Sequence, residues 1–253
     1  MKQAIIFASF GVIDKTVRER TIDAAVAEIQ EEFNNYEVRQ AFTSNFIRNK
    51  LKAQGVNILS IEEQIKLLQD EGFDRIIILP SHLTPGEEFD NKIKPFESEK
   101  VIVLNPIFTA KCDTEFDRCA FNTILQCFVT ESDEELILIG HGSPHRHNSV
   151  YENLQKLADA QNLKVHIGVI EESDTPNFYD VINRLRNSEA TKFLLAPLLF
   201  NGGSHIKHDI AGEDKNSWKS RLVSLGYKIR VCNDGLGTFK SFRELYKILL
   251  KFH

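Results

Sequence analysis

The chain contains the segment Arg75-Ile-Ile-Ile-Leu-Pro-Ser-His-Leu-Thr-Pro-Gly-Glu-Glu88 and, 117 residues later, a second version of it, Lys192-Phe-Leu-Leu-Ala-Pro-Leu-Leu-Phe-Asn-Gly-Gly-Ser-His205. In this alignment Pro80 matches Pro197, and Glu88 matches His205. A chain that repeats itself in this way is predicted to fold as two similar lobes that face a shared cleft. Equivalent loops of the two lobes then carry a carboxylate in one half and an imidazole in the other.

Two shorter segments extend the repeat. Ala4–Gly11 resembles Glu135–Gly142, and Val38–Thr43 resembles His166–Glu171. The residues that end the repeated segments are Phe10, Thr43 and Glu88 in the first half and His141, Glu171 and His205 in the second. Only the second set combines two imidazoles with a carboxylate, which are ligands that a borderline divalent metal prefers. We therefore predict a metal site in the second half of the chain, and expect the first half to form the opposite side of the cleft.

Composition excludes several classes of protein. The 253 residues, of which 42% are hydrophobic, are enough for one large or two small cores. The sequence shows neither an apolar run of membrane-spanning length nor a secretory leader, so we expect a cytoplasmic protein with no membrane partner. A net charge of −5 argues against a nucleic-acid partner. The four cysteines lack the close pairing of zinc or redox motifs and are expected to be reduced.

Short apolar runs alternate with amphipathic stretches along the whole chain. Strands are predicted at 3–9, 36–42, 75–80, 101–104, 135–140, 164–170, 192–198 and 228–232. Their continuous hydrophobicity indicates parallel sheets covered on both faces, which makes the predicted fold class α/β with two Rossmann-like lobes related by internal pseudo-symmetry. Ligands bind such sheets at the carboxyl ends of the strands, where the six residues named above lie.

The lobe boundary is predicted near 126–134, where Thr130–Glu135 is a polar connector, which gives an N-terminal lobe of residues 1–127 and a C-terminal lobe of residues 128–253. The last helix, 239–252, is predicted to pack back on the first lobe. Ser60 with Glu63, and Ser149 with Glu152, predict capping boxes. Pro176 is predicted in the first turn of a helix.

Further candidates lie beside the repeated segments. The turn His141-Gly-Ser-Pro-His145-Arg-His147 offers imidazoles to a cleft, although His145 and His147 are equally compatible with a solvated loop. His82 fits a pocket residue as well as a structural histidine. Gly203 permits the backbone to approach a ligand closely. Asp174 is expected to face solvent or to cap the following helix.

The chain resembles the anaerobic sirohydrochlorin cobaltochelatases of the CbiK type. The motifs that carry the resemblance are Ser9-Phe-Gly11, Ala41-Phe-Thr-Ser44, His141-Gly-Ser-Pro-His145, Val169-Ile-Glu171, Gly203-Ser-His205, Asp209-Ile-Ala-Gly-Glu-Asp214 and Ser217-Trp-Lys219. The resemblance implies a class II chelatase with a tetrapyrrole cleft and no nucleotide, in which His141, Glu171 and His205 bind the metal. The family commonly has an acidic residue where this chain has Ser204, and its loss would remove a carboxylate from behind the metal ligand.

Metal insertion requires a site that strips water from the ion and accepts two pyrrole protons. We expect His205 and Glu171 to hold Co²⁺, the substrate metal, while His141 alternates between ligand and proton acceptor. Glu88 is a candidate helper base. The residues expected to contact a sirohydrochlorin-type ring are Phe10, Thr43, His82, His145 and Gly203. The cations nearest the site loops, as anchors for the ring carboxylates, are Arg146, Lys207 and Lys92.

Several alternatives stay open. Ni²⁺ and Fe²⁺ suit the same ligands as Co²⁺, and precorrin-2 is an alternative ring. A non-catalytic haem or tetrapyrrole carrier could use His205 as an axial ligand. A metal-dependent hydrolase is the weaker rival, since no second carboxylate–histidine cluster is apparent. The sequence leaves a homo-oligomer open.

Overall fold

The computed structural model describes residues 2–253 and contains two four-stranded parallel sheets. The strands of the first sheet are β1 Gln3–Ser9, β2 Glu37–Phe42, β3 Arg75–Pro80 and β4 Val101–Val103. Those of the second sheet are β5 Glu134–Gly140, β6 Val165–Val169, β7 Lys192–Pro197 and β8 Lys228–Val231. All eight predicted strands are present, and the predicted α/β fold class is confirmed.

The two sheets have the same topology, which confirms the internal repeat at the level of the fold. The strand order is β2-β1-β3-β4 in the first sheet and β6-β5-β7-β8 in the second. β1 and β5 therefore occupy equivalent inner positions, each flanked by the two strands that carry the other candidate residues. The inner strands are apolar without alternation because both faces of each sheet are covered, and Ile5, Ile6, Ile137 and Leu138 are fully buried.

Helices connect the strands. They are α1 Lys15–Arg18, α2 Ala24–Glu32, α3 Asn45–Ala53, α4 Ile61–Asp70, α5 Glu87–Lys92, α6 Glu115–Cys127, α7 Val150–Ala160, α8 Phe178–Leu185, α9 Trp218–Ser224 and α10 Lys240–Lys251. Residues Glu19–Asp23 and Ile206–Ile210 form π-helical turns, and Lys94–Phe96 and Leu236–Thr238 form 3₁₀ turns. Within residues 2–253, no helix combines the length and the apolar character needed to cross a membrane.

The predicted helix starts are correct in one case of three. Ser60 and Glu63 form the predicted capping box of α4. Ser149 makes no side-chain cap at α7, and the Glu152 carboxylate instead accepts a hydrogen bond from Thr175 Oγ1 at 2.9 Å. Pro176 precedes α8 rather than lying in its first turn, because Asn177 provides the cap, with its side chain accepting from Tyr179 N and Asp180 N.

Contacts divide the chain into a first unit, the residues up to Ile107 together with Gly237–His253, and a second unit, Phe108–Leu236. This division differs from the sequence boundary at residues 127/128. Helix α6 groups with the second unit because the segment leading into it is tied to α7: Asn153 Nδ2 donates to Ala110 O at 2.9 Å, and Cys112 Sγ lies 3.8 Å from Val150 O.

The C-terminal helix α10 belongs to the first unit. Arg243 forms a two-bond ion pair with Glu28 at 2.5 and 3.0 Å. The fully buried Tyr246 packs edge-on against Phe7 and donates its hydroxyl to Ser81 O at 2.9 Å. These contacts fix α10 beside β1 and the end of β3.

Candidate functional site

Three side chains predicted from the ends of the repeated segments meet in the second unit. His141 directly follows β5, Glu171 lies just after β6, and His205 follows β7. His141 Nδ1 is 3.9 Å from Glu171 Oε1, and the rings of His141 and His205 stand edge to face with their centroids 4.6 Å apart. They converge because β5 pairs with both β6 and β7, so the carboxyl ends of the three strands share one edge.

The three side chains are accessible but do not yet surround a common point. Their side chains are 39%, 32% and 47% exposed for His141, Glu171 and His205. In the part of the chain that the structure describes, no group of three or more His, Cys, Asp or Glu side chains is arranged to hold a metal ion. Binding of one ion by all three therefore requires at least one side chain to rotate.

The backbone around His141 is fixed by the neighbouring strand. Glu171 N donates to His141 O at 3.0 Å, and Gly142 follows with φ +78°. A Cβ on Gly142 would lie 3.0 Å from Val169 Cβ and 3.1 Å from Glu171 Cβ, so both the conformation and the space favour glycine. Gly11 has φ +99° at the equivalent turn after β1, which shows that the turn itself is repeated.

Hydrogen bonds assign the same tautomer to both imidazoles. His141 Nδ1 lies 3.2 Å from Gly142 O, and His205 Nδ1 lies 2.7 Å from Asp209 Oδ2. A carbonyl or a carboxylate can only accept, so Nδ1 carries the proton in each neutral ring. The Nε2 lone pair of each histidine is thereby left for a metal ion or a proton. Asp209 also places a carboxylate behind His205, although Ser204 lacks one.

Asp174 has an organising role that the sequence did not reveal. The expectation that it faces solvent or caps the following helix is wrong, since its side chain is fully buried and Asn177 caps α8. It accepts hydrogen bonds from Ser143 N at 2.9 Å, Asn148 N at 3.2 Å and Thr175 N at 2.8 Å. Asp174 N in turn donates to Glu171 O at 3.1 Å. The carboxylate therefore ties the loop that follows His141 to the loop that carries Glu171.

His147 covers this buried carboxylate from the solvent side. His147 Nδ1 lies 2.7 Å from Asp174 Oδ1, and Nε2 lies 3.5 Å from Glu152 Oε2. The hydrogen bond to Asp174 raises the pKa of the His147 imidazole, and the charges of both carboxylates act in the same direction. His147 thus supports the loop although its own side chain is exposed, and His145 is exposed as well.

The first unit gathers a second polar set at the carboxyl edge of its sheet. Thr43 Oγ1 donates to Glu88 Oε1 at 2.6 Å, and Lys92 Nζ lies 3.1 Å from Glu88 Oε2. Lys92 therefore pairs with Glu88, whereas the sequence suggested that it anchors a ring carboxylate. Phe10 lies at the same edge, since Ser44 N donates to Phe10 O at 3.3 Å, and its ring is 44% exposed.

His82 is a half-buried, neutral imidazole near this set. Its Nδ1 atom is buried and has no hydrogen-bond partner within residues 2–253. Burial lowers the pKa of His82 from 6.5 to about 4, against the opposing charge of Glu88 and with the help of Lys92. Protonation of this side chain is therefore unfavourable in the folded state.

The first prediction is that acid destabilises the first unit through His82. The pKa of His82 is lower in the folded state, so the folded protein binds fewer protons than the unfolded chain below pH 6.5. The free energy of unfolding therefore keeps its full value above that pH and decreases as the pH falls towards 4. We expect the free energy of unfolding in urea to fall by about 2 kcal/mol from His82 between about pH 7 and pH 5. His82→Gln, which cannot titrate, should lose that part of the pH dependence. An unchanged slope in the variant would contradict the assignment.

Comparisons with known proteins agree with the fold and match nearly the whole chain. A model of the cobalt chelatase (CbiK) family matches residues 3–251. The sirohydrochlorin cobaltochelatase of Salmonella typhimurium is 25% identical over 97% of this chain and 94% of its own length. The sirohydrochlorin cobaltochelatase CbiKC of Nitratidesulfovibrio vulgaris is 27% identical over 97% of this chain and 88% of its own. The structure of SirB from Bacillus subtilis with Fe³⁺ has the same fold, with a TM-score of 0.61, 15% identity, and coverage of 99% of this chain and 95% of SirB.

Proposed function

Because the chain belongs to the cobalt chelatase (CbiK) family, we propose that it is a sirohydrochlorin cobaltochelatase. The reaction is the ATP-independent insertion of Co²⁺ into sirohydrochlorin or precorrin-2, with formation of nitrogen–metal bonds. The observation that carries the proposal is the family match over residues 3–251, which includes the convergent His141, Glu171 and His205. Both relatives named above are sirohydrochlorin cobaltochelatases and span nearly the whole chain.

The donor set suits the first half of the reaction, which is capture and dehydration of the ion. His205 Nε2 and a Glu171 oxygen bind Co²⁺ as imidazole and carboxylate ligands, and His141 Nε2 is the third ligand. Three protein ligands leave coordination positions open for the incoming ring nitrogens. The exposure of all three side chains lets the metal arrive from solvent and leave into the ring.

The second half of the reaction is removal of two protons from pyrrole nitrogens. His141 Nε2 accepts these two protons one at a time, once that atom no longer binds the metal, and passes each to water, while Nδ1 keeps its own proton on Gly142 O. An imidazole accepts a proton readily near neutral pH. Once metal passes to the ring, His141 is released as a ligand and is free to carry the proton to water.

Each unit, taken by itself, presents residues suited to contact a macrocycle. In the first unit, the exposed ring of Phe10 offers an aromatic surface, and Glu88, held by Thr43, serves as a helper base. His82 contacts the ring as a neutral group. In the second unit, the exposed His145 and the Gly203 backbone lie in the loops that present the metal ligands.

The test is an absorbance time course with purified protein, sirohydrochlorin and Co²⁺, compared with the protein-free rate. We expect many rings metallated per chain without ATP. Parallel reactions with Ni²⁺ and Fe²⁺ rank the metals, and Co²⁺ should give the highest kcat/KM. A spectrum that shifts and stops at one ring per chain, with no metal inserted, would contradict the proposal and favour a tetrapyrrole carrier.

A further inference from the structure

Asp209 contacts the candidate metal ligand His205 directly. Its Oδ2 atom lies 2.7 Å from His205 Nδ1, one helical turn away in sequence. A carboxylate in this position accepts the Nδ1 proton, fixes the tautomer and turns Nε2 outward. The pair is partly exposed, with side chains 47% and 43% accessible, so a substitution at Asp209 does not open the core.

The backbone explains why these two residues meet. Residues Ile206–Ile210 form a π-helical turn that starts immediately after His205, and Ala211 N donates to Ile206 O at 2.8 Å. Ile206 and Ile210 are buried and anchor one side of the turn. His205 and Asp209 therefore project together on the side away from these isoleucines. Single π turns of this kind occur often at functional sites.

The first unit contains an equivalent pair at the same offset of 117 residues. Glu88 aligns with His205 and Lys92 with Asp209, and Lys92 Nζ lies 3.1 Å from Glu88 Oε2. In each unit, the side chain of a candidate site residue contacts a chemically complementary side chain one helical turn later. The repetition indicates that the pairing is a feature of the duplicated segment. In the first copy the Lys92 ammonium contacts the Glu88 carboxylate, and in the second the Asp209 carboxylate contacts the His205 imidazole.

We propose that Asp209 is a positioning residue that holds His205 in the Nδ1–H tautomer, with Nε2 ready to bind Co²⁺. The proposal rests on the proposed function, in which His205 is a metal ligand. It also gives His205 a carboxylate partner in a chain that has Ser204 where an acidic residue was expected. Loss of such a partner typically lowers metal affinity about 10- to 100-fold.

The experiment compares the parent protein with Asp209→Ala, Asp209→Glu and the control Glu213→Gln. Glu213 is a nearby exposed carboxylate that pairs with Lys219 instead of a histidine. Two readouts are independent of turnover: the ring tautomer of His205 by ¹⁵N NMR of histidine-labelled protein at about pH 8, where imidazoles are neutral, and the Kd for Co²⁺ by titration. Asp209→Ala should shift His205 towards the Nε2–H tautomer and weaken Co²⁺ binding about 10- to 100-fold. Asp209→Glu should recover part of the affinity, and Glu213→Gln should match the parent.

The outcomes distinguish a failure of the role of Asp209 from a failure of the proposed function. Parent-like tautomer and Kd in Asp209→Ala would overturn the inference, and so would an equal loss of affinity in Glu213→Gln, which would indicate a general charge effect. If the tautomer and the Kd change as expected but no variant or parent inserts metal into sirohydrochlorin, the role of Asp209 stands and the proposed function fails.

Discussion

Alanine in place of His205 is expected to lower kcat for cobalt insertion by more than about 100-fold. Loss of the side chain that holds a metal ligand in place costs about 10- to 100-fold in affinity or activity, and removal of the ligand itself should cost more. The substitution should leave folding intact, because His205 lies in an exposed turn, where its side chain contacts Asp209 and His141. The measurement is the initial rate of metallation at saturating Co²⁺ together with the melting temperature.

His208→Ala is the matched control for this experiment. His208 is an exposed histidine on the same π-helical turn, three residues from His205. It should keep the parent rate within about twofold, as expected for a surface change. Equal losses in the two variants would show that the turn, rather than the His205 ligand, matters. A parent rate in both would remove His205 from the mechanism.

Asp174→Ala is expected to lower the free energy of unfolding by about 4 kcal/mol. The substitution leaves the N–H groups of Ser143 and Asn148 without their acceptor in a buried position, and that of Thr175 in a partly buried one. Each such buried group costs about 1–3 kcal/mol. It also frees the loop that follows His141. Urea unfolding near neutral pH measures the first effect, and the Co²⁺ Kd of the folded fraction measures the second.

Glu172→Ala is the control for the buried carboxylate. Glu172 is two residues away, is largely exposed and pairs with Arg221 at 2.9 Å. Its loss should cost less than about 1 kcal/mol, as expected for a surface ion pair. A similar small cost for Asp174→Ala would mean that the loop is held by other contacts.

Much of the fold could be read from the sequence, because the information is local and repeated. Strands such as β3 and β7 are continuous apolar runs that no amphipathic helix would show, and the alignment of Pro80 with Pro197 sets their equivalence. The division between units was less accessible. It depends on contacts of the segment before α6 with α7, such as Asn153 to Ala110, and these have no signature in either segment alone.

The candidate site was predictable to the same extent. His141, Glu171 and His205 follow three strands of one parallel sheet, and the topology alone brings them together. Asp174 was missed because it lies in a run of polar residues that looks solvent-facing. The backbone N–H groups that donate to its carboxylate, those of Ser143 and Asn148, lie 31 and 26 residues earlier in the chain. The contact of Asp209 with His205 has the i, i+4 spacing of neighbours on a helix, but the sequence does not show that a helical turn begins directly after His205.

Diffraction at the cobalt absorption edge from crystals of the protein loaded with Co²⁺ tests the central claim most directly. The account predicts one strong anomalous peak within bonding distance of His205 Nε2, Glu171 and His141 Nε2, about 2.0–2.2 Å from each ligand atom. The peak should vanish in His205→Ala crystals. A peak bound elsewhere, with these three side chains unchanged, would contradict the claim that they form the metal site.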